Sequence, residues 1–307
     1  MSDVSSPGFV RSRPRHGAAS SALTAWGLAM PSVVMLVGLM LLPIAVVIVM
    51  SFTDYEFGDS NPAWVGLANY ANLWTDGVFW RALGNTLGYV AMVVPGAVIL
   101  GLLQAVLVQN LRHGRKLYRV LFFLPVTSTL VAMATVWKYL MHGTIGPINT
   151  FLVWIGLGRV EFFGDPAWVL FALAVIGIWA LAGFNMVLFT AGLTAIPDDL
   201  YDAASVDGLD HPLDRFFRIT LPMLAPTTVF VTVTSTITAF KVFDTVTVLT
   251  RGGPQGASDV LLYTTYLEGF QYLRMAPAAA MTVVFLAIIL GLALLQNRLM
   301  DRKERLQ

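Results

Sequence analysis

Six long runs of apolar residues divide the sequence, and each is long enough to cross a lipid bilayer as an α-helix. The hydrocarbon core of a bilayer is about 30 Å thick, and a helix rises about 1.5 Å per residue. Only 12% of the 307 residues are charged, whereas a soluble domain carries about a quarter. We therefore predict an all-α membrane protein with six transmembrane helices. The spans are expected at Ala25–Ser51, Ala82–Gln109, Tyr118–Leu140, Trp168–Thr190, Met223–Phe240 and Ala276–Asn297.

Prolines and basic residues in the first runs do not change this prediction. The prolines inside the first three runs are Pro31, Pro43, Pro95 and Pro125. We expect helices to accommodate them, because neighbouring helices can satisfy the freed carbonyls. Arg11, Arg13 and Arg15 precede the first run, as in a secretory signal peptide. That run is too long for a signal peptide and no small-residue cleavage site follows it, so we predict a retained first helix.

Basic residues gather on one side of the predicted spans, and this sets their orientation. If both termini are cytoplasmic, thirteen of the nineteen Lys and Arg residues fall on the inner side or at its span ends. Positive charge favours the cytoplasmic face of a bilayer. We thus predict cytoplasmic N- and C-termini. The expected domains are a basic, disordered cytoplasmic tail at 1–24, a six-helix transmembrane domain at 25–297 and a basic cytoplasmic tail at 298–307.

Several function classes lack the residues that their chemistry needs. Cysteine is absent and the four histidines are not at metal-ligand spacing, so we expect neither a thiol nucleophile nor a metal site. No G-x-x-x-x-G-K-[ST] sequence occurs, so this chain cannot hold a nucleotide in a P-loop. A net charge of +1 indicates no nucleic-acid partner. We expect no catalytic residue and no cofactor in the chain itself.

The fifth apolar run carries a polar stripe. Its segment FVTVTSTIT alternates like a β-strand, but a lone strand would leave its backbone groups unpaired in lipid, so we predict a helix. On a helix, five polar residues fall within an arc of about 60°. They are Thr227, Thr234, Thr238, Lys241 and Thr245. Threonine is common where membrane helices pack, whereas a charge at a span end favours a cavity, so packing and a solute path both remain open.

Residues 196–222, between the fourth and fifth runs, have the cap signals of two short helices joined by a turn. Pro197 suits a first helical turn, and Asp198 and Asp199 complement its positive N-terminal end. Gly208 can adopt the left-handed conformation that ends a helix. Asp210 and Pro212 are start signals for the second helix.

The two helices suit either a solvated connector or a docking site. Ala203 and Ala204 have almost no side chain, so another surface can approach them closely. In the second helix, we expect an apolar side to face the membrane domain and two arginines to reach the interface. The apolar residues are Leu213, Phe216 and Phe217, and the arginines are Arg215 and Arg218.

One spacing in this loop resembles the EAA loop of permease subunits in binding-protein-dependent ABC importers. Its residues are Asp202, Ala203, Ala204, Gly208, Ile219, Leu221 and Pro222. Asp202 stands where Glu is usual, and the stretch from Gly208 to Ile219 is one residue longer than usual. The resemblance implies an ABC importer type I permease bundle. It also implies that these residues form a coupling helix that sits in a groove of a cytoplasmic ATPase.

A second segment resembles one of the two permease types in importers for sugars and glycerol-3-phosphate. It comprises Phe240–Asp244 and then Leu249–Pro254, with the sequence LTRGGP. The resemblance implies a bacterial inner-membrane assembly with a second related permease, two ATPase subunits and an extracytoplasmic solute-binding protein. ATP and Mg would be bound by the ATPase partners. The permease would form half of the pathway and would also contact membrane lipid.

For the solute path, we single out polar and aromatic residues of the fourth and fifth spans. They are Trp179, Phe184, Asn185, Thr234, Thr238, Lys241 and Asp244. Aromatic faces suit sugar rings, while amide and hydroxyl groups match sugar hydroxyls. Helix packing is the alternative role for each of them. Asp244 is equally suited to an ion pair with Lys241.

Two other function classes make different demands on the sequence. An ion-coupled secondary transporter of small polar solutes normally has two related halves and carboxylates inside its spans. No half-repeat is evident here, and no predicted span contains a carboxylate. A membrane enzyme would need a catalytic cluster at the interface, and the scattered histidines do not form one.

Overall fold

The computed structural model describes residues 18–111, 113–209 and 211–304, and within these ranges it contains helices and no β-strand. Most of the predicted basic tail at 1–24 lies outside these ranges, as do Arg112 and Asp210. The first helix begins at Ala18, so residues 18–24 are helical. The last helix continues to Glu304 and includes most of the predicted C-terminal tail, whose residues 305–307 lie outside the described ranges.

Among the described residues, 18–49 form a unit of their own, which is one apolar helix. Its segments are α1 (Ala18–Leu36), a π-helical turn (Val37–Leu41) and α2, which ends at Met50. The N–H of Leu42 donates to the carbonyl of Val37, directly before Pro43. A proline ring clashes with the carbonyl four residues earlier, and a wide turn at this point relieves that clash.

The second compact unit contains the remaining helices. They are α3 (Ala68–Thr75), α4 (Gly77–Asn110), α5 (Arg115–Thr127), α6 (Leu130–Leu140), α7 (Pro147–Trp154), α8 (Val169–Thr194), α9 (Asp198–Val206), α10 (Pro212–Arg215), α11 (Leu221–Met223), α12 (Ala225–Phe240), α13 (Leu261–Tyr266) and α14 (Met275–Glu304). π-Helical turns lie at Phe216–Thr220, Val246–Thr250 and Leu267–Gln271.

The candidate spans agree with the six apolar runs, although two of them are bent. Four continuous helices in the described ranges can cross a membrane, at Trp26–Met50, Gly77–Asn110, Val169–Thr194 and Met275–Gln296. The third candidate is the pair α5 and α6, which bends by 103°, and the fifth is Pro212–Met223 with α12, which bends by 67°. The count reaches six when each bent pair is one span.

The prediction of one continuous helix for Tyr118–Leu140 is wrong. The helix ends at Thr127, where two hydroxyl groups share one backbone acceptor: Thr127 and Ser128 both donate to the carbonyl of Leu124, at 2.9 and 3.2 Å. The N–H of Ser128 turns to the carbonyl of Pro125 instead, at 3.3 Å, and its backbone becomes extended. Side-chain bonds of this kind compete with helical bonds.

Helix α8 is the centre of the second unit and packs against α4, α5 and α12. Its fully buried side chains include Leu173, Ile176 and Phe189. Close approach depends on glycine, because a side chain at Gly183 would collide with the backbone carbonyl of Phe122 in α5. Small residues at crossings are typical of membrane helices, where van der Waals packing drives association.

Candidate coupling loop and solute path

The predicted helix, turn and helix of residues 196–222 are present. Helix α9 ends in a left-handed Gly208, with φ of 79°. The N–H of Leu209 donates to the carbonyl of Ala204 at 2.9 Å, and that of Gly208 to Ser205 at 3.2 Å. This pair of bonds is a Schellman motif, in which glycine avoids the steric cost of the left-handed conformation.

Side chains clamp the two helices of this loop together. The hydroxyl groups of Tyr201 in α9 and Thr220 in the second helix lie 2.9 Å apart. Arg215 donates from Nε to the carbonyl of Leu209 at 2.6 Å and from Nη2 to Oγ of Ser205 at 2.9 Å. The guanidinium of Arg215 thus spans the turn, and the expectation that this residue reaches the membrane interface stays a prediction. Sequence reasoning missed this clamp because its partners have no short-range spacing pattern.

The predicted coupling residues of α9 differ in exposure. Asp202, Ala203 and Gly208 face solvent, whereas Ala204 is only 5% exposed. The expectation that both alanines offer a free surface therefore fails for Ala204, which packs inward. Ala203 and Ala204 are adjacent, and adjacent residues on a helix point about 100° away from each other.

The predicted residues of the second helix have mixed surroundings. Ile219 and Leu221 are half-buried and Pro222 is exposed. The apolar side predicted to face the membrane domain is uncovered at Leu213 and Phe217, each 60% exposed. That expectation is wrong for these two residues within this chain. This helix leads directly into α12, which begins at Ala225 with Pro226 in its first turn.

Three of the predicted solute-path residues line one cavity. Thr238, Lys241 and Asp244 border a space of about 260 Å³ at the end of α12. Leu130, the first residue after the break in the third span, also lines this cavity. Lys241 and Asp244 are exposed, and no ion pair joins them in the described part of the chain. The break in the third span thus borders the polar end of the fifth.

Four threonine hydroxyls of α12, those of Thr232, Thr234, Thr236 and Thr238, donate to the helix backbone. Thr238 donates to the carbonyl of Thr234 at 2.9 Å, and Thr234 to that of Phe230 at the same distance. These bonds satisfy the hydrogens and leave oxygen lone pairs free as acceptors. Thr238 is exposed and Thr234 is half-buried.

The predicted residues of α8 are divided between packing and an open face. Asn185 is 1% exposed and bonds to Oγ of Ser235 in α12, with Nδ2 as donor at 3.0 Å. Trp179 packs edge-on against Trp137, with ring centroids 5.5 Å apart. These contacts give both residues a packing role, and their contact with solute stays a prediction. Phe184 is exposed.

The segment with the LTRGGP sequence folds into a tight turn against α4. Ser258 donates to the carbonyl of Gly253 at 2.6 Å, and the Gly253–Pro254 bond is cis. Asn85 of α4 donates from Nδ2 to the carbonyls of Gly256 and Asp259, at 3.0 and 2.9 Å. The turn is therefore anchored to the second span by an amide that sequence reasoning did not single out.

A carboxyl group beside this turn is ion-paired. Arg81 approaches Asp259 at 3.5 Å. Burial nevertheless raises the pKa of Asp259 above its ordinary value, because the loss of water outweighs the attraction of Arg81. This pair also escaped sequence reasoning, since its members are far apart in the chain.

The loop, the helical bundle and the helix-end cavity together are what a transport subunit requires, and comparison with known proteins decides the family. The family model described as the inner membrane component of binding-protein-dependent transport systems matches residues 77–305. The chain belongs to this family. The permease is thus a multi-pass protein of the inner membrane that works with a solute-binding protein, and its family is one of transport subunits.

Relatives support the same assignment over most of the permease. The probable ABC transporter permease YesP of Bacillus subtilis is 35% identical over 253 residues, which cover 81% of each chain. The sn-glycerol-3-phosphate transport permease UgpA of Yersinia enterocolitica is 31% identical, over 79% of this chain and 82% of that one. UgpA of Escherichia coli strain UTI89 is 32% identical, over 82% and 84%.

Solved structures share the fold. A bacterial ABC transporter involved in the import of the acidic polysaccharide alginate aligns with a TM-score of 0.80 and 24% identity, over 92% of this chain and 96% of that one. The alginate transporter in complex with its pentasaccharide-bound periplasmic protein aligns with a TM-score of 0.81, over 94% and 98%. The ABC importer permease fold predicted from the sequence is confirmed.

Proposed function

We propose that the permease forms half of the translocation pathway of an ATP-driven importer and couples to a separate ATPase through residues 196–222. The observation that carries this proposal is the clamped pair of helices in that loop, whose second helix leads directly into α12. The complete assembly would contain a second related permease and two ATPase subunits, which bind ATP and Mg.

A force on α9 has a defined route to the solute path. The Tyr201 and Arg215 contacts join α9 to the second helix, so the two should move as one piece. That helix meets α12 at an angle of 67°, and the far end of α12 carries Thr238 and Lys241. Displacement of α9 by the ATPase would therefore reorient the cavity at the end of α12. Such switching requires a bundle with two stable arrangements.

A second permease is supported by an uncovered face of the central helix. Phe184, Val187, Ala191 and Thr194 of α8 are all exposed, although this helix is the most buried of the candidate spans. Residues at these spacings share one side of a helix. A related permease packed against this side would enclose a path between the two subunits.

We propose a sugar or a glycerol-3-phosphate-like compound as the solute. The names of the relatives support this class, since UgpA is a sn-glycerol-3-phosphate permease. The cavity at α12 also supports it, because hydroxyl oxygens, an ammonium and a carboxylate surround a small volume. A ligand screen on the cognate solute-binding protein would identify the compound.

The coupling proposal is tested by substitution of Gly208. A Cβ at this position would meet no other atom of this chain within 4 Å, so within the permease the effect arises from the backbone. At φ of 79° a β-branched residue is strained by about 1–3 kcal/mol, whereas Asn tolerates this region. We expect Gly208→Val to abolish ATP-dependent uptake and ATPase co-purification while the chain still inserts, and Gly208→Asn to retain both.

Uptake measured without the partner ATPase separates the proposal from its main alternative. Uptake that persists in membranes without the partner ATPase would instead indicate an ion-coupled secondary transporter. Unchanged ATP-coupled uptake by Gly208→Val would show that the conformation of this loop does not carry the coupling.

A further inference from the structure

The break in the third span leaves backbone groups without helical partners inside a candidate span. It lies at Ser128 and Thr129, between α5 and α6. Hydrocarbon offers no hydrogen-bond partner, so non-helical backbone inside a span requires protein or a water-filled cavity around it. Leu130, the first residue of α6, lines the cavity of about 260 Å³ at the end of α12. The break thus lies beside the proposed solute path.

The start of α6 carries amide donors to this cavity. The helix has 11 residues, and Thr129 before it provides no side-chain cap. The first N–H groups of such a helix have no partner within it, and the helix dipole places a partial positive charge at this end. In secondary transporters, the N-terminal ends of broken helices point at anionic groups of the solute.

A second, independent observation points to a ligand at this position. Thr245 lines the same cavity and is only 3% exposed, and its Oγ1 is buried without a hydrogen-bond partner among the described residues. Helix α6 contacts the π-helical turn at Val246–Thr250, which directly follows Thr245. By contrast, the hydroxyl of Thr247 donates to the carbonyl of Phe243 at 2.9 Å. An unbonded buried hydroxyl is unfavourable, and a bound ligand that accepts from it would remove that cost.

The charges around the cavity fit a solute that has both an anionic group and hydroxyl groups. Lys241 is exposed here and forms no ion pair with Asp244 in the described part of the chain. Its ammonium and the amides of α6 suit a phosphate or a carboxylate. Asp244 also lines the cavity, and its carboxylate repels an anion but accepts hydrogen bonds from hydroxyl groups.

We propose that the start of α6, Lys241 and Thr245 bind the anionic group of a polyhydroxy solute, and that Asp244 binds its hydroxyl groups. This inference rests on the proposed function, in which the cavity belongs to the solute path. It selects an anionic solute over a neutral sugar. A phosphate ester and a sugar carboxylate share this chemistry.

The charge preference of the cavity is tested with a single introduced thiol, because the chain has no cysteine of its own. Leu130→Cys is made in the full-length chain, in membranes that contain its partner subunits. Its rates of modification by an anionic and by a cationic methanethiosulfonate reagent are measured. Ile145→Cys is the control, since Ile145 is exposed, does not line this cavity and has uncharged neighbours in the sequence.

We expect the ratio of the anionic to the cationic rate to be about tenfold higher at Leu130→Cys than at Ile145→Cys, because the field of the cavity accelerates one reagent and slows the other. Equal ratios at the two positions would overturn the proposal. If Leu130→Cys fails to insert, Ala180→Cys takes its place, because Ala180 of α8 lines the same cavity.

Substitutions assign this preference to single charges. Combined with Leu130→Cys, Lys241→Gln should lower the ratio about fivefold, and Asp244→Asn should raise it about fivefold. Lys138→Gln is the control, because Lys138 is an exposed lysine of α6 that does not line the cavity. A ratio that Lys241→Gln leaves unchanged would overturn the proposal.

Protection by solutes identifies the anionic group. The probes are glycerol 3-phosphate and glucuronate, each compared with its neutral counterpart, glycerol or glucose. One of the anions should slow the modification of Leu130→Cys about threefold at a concentration near twice its dissociation constant, while its neutral counterpart has no effect. Protection by glycerol 3-phosphate assigns the site to a phosphate ester, and protection by glucuronate assigns it to a carboxylate. Equal protection by the neutral compounds, or none by either anion, would overturn the proposal.

Thr245→Val tests the buried hydroxyl, because valine keeps the shape of threonine. The protecting anion should bind about fivefold more weakly, and the unfolding temperature should not fall, since this hydroxyl bonds to no other described group. Thr247→Val is the control, because the hydroxyl of Thr247 already bonds to the backbone and this residue does not line the cavity. Equal protection in Thr245→Val and the parent variant would overturn the assignment of Thr245.

Failure of this inference is distinguishable from failure of the proposed function. The modification rates require neither ATP hydrolysis nor uptake, so they do not depend on the coupling loop. Loss of the anion preference in a chain whose uptake still requires the ATPase would reject the anion site alone. The anion preference in a chain whose uptake is independent of the ATPase would reject the coupling alone.

Discussion

The hydroxyl groups of Tyr201 and Thr220 lie 2.9 Å apart and join the two helices of the coupling loop. Thr220 is buried, and Tyr201 is half-buried. A neutral hydrogen bond of this kind contributes about 1 kcal/mol to stability. Together with the bonds of Arg215, this contact makes α9 follow the second helix.

We predict that Tyr201→Phe loosens the loop without any effect on the bundle. The loss of about 1 kcal/mol should raise the amide exchange rate of α9 about fivefold, while exchange in α8 stays the same. Hydrogen exchange measured by mass spectrometry on the complete chain provides both values. Tyr118→Phe is the control, since Tyr118 is exposed in α5. Equal exchange in Tyr201→Phe and in the unmodified protein would show that the contact does not hold α9.

We predict that Gly183→Ala destabilises the bundle by about 1–3 kcal/mol, the usual cost of overpacking. The added methyl group would collide with the backbone carbonyl of Phe122, which cannot move as a flexible side chain can. Thermal unfolding in detergent measures the effect. The matched control is Gly84→Ala in α4, where the new methyl meets nothing within 4 Å and alanine favours the helix. Similar unfolding temperatures for the two variants would contradict the packing at Gly183.

The sequence predicted those parts of the fold that local chemistry controls. Pro197, Gly208 and Pro212 mark the two helices of the loop because caps and turns depend on a few adjacent residues. The break after Thr127 could not be predicted in the same way. Pro95 lies inside a continuous helix, so a proline in an apolar run does not by itself end a span. The end here coincides with two hydroxyl groups that bond to one carbonyl.

The candidate site was predictable to a smaller extent. The polar stripe of the fifth span correctly placed Thr238 and Lys241 on one side of the helix. Helical periodicity alone determines which residues share a side. The bond from Asn185 to Ser235 joins residues in different spans, and the clamp by Arg215 depends on how the turn folds back. Such contacts follow from tertiary packing and have no signature in local spacing.

We predict that stability falls as pH rises because of Asp259. Its pKa is raised in the folded protein above the ordinary value of 3.8, chiefly by burial. The folded state therefore binds more protons than the unfolded state between the two pKa values. Its contribution is fully present below pH 3.8 and is lost as pH rises through the folded pKa.

Thermal unfolding over a pH series checks this sign. The unfolding temperature of the unmodified protein should decrease as pH rises from 3.8, and Asp259→Asn should reduce that decrease. Glu56→Gln is the control, because Glu56 is an exposed carboxyl group outside the candidate spans. An identical pH profile for Asp259→Asn and the unmodified protein would exclude Asp259 as the source.

We predict that Lys241→Gln weakens transport without loss of stability. Lys241 is exposed and lines the cavity at the end of α12, and it has no ion pair with Asp244. Its removal should therefore leave the unfolding temperature unchanged. A hydrogen bond from a charged group contributes about 1.5–3 kcal/mol, so KM for a solute that accepts from Lys241 should rise on the order of tenfold or more. The solute is the compound that the cognate binding protein retains in a ligand screen.

Lys138→Gln is the matched control for this variant. Lys138 is also an exposed lysine at the end of a candidate span, and it does not line this cavity. The two substitutions remove the same charge, so a rise in KM for Lys241→Gln alone would locate the effect at the cavity. A lower unfolding temperature with unchanged KM would instead assign Lys241 a structural role. Unchanged KM and unchanged stability would place the solute path away from this end of α12.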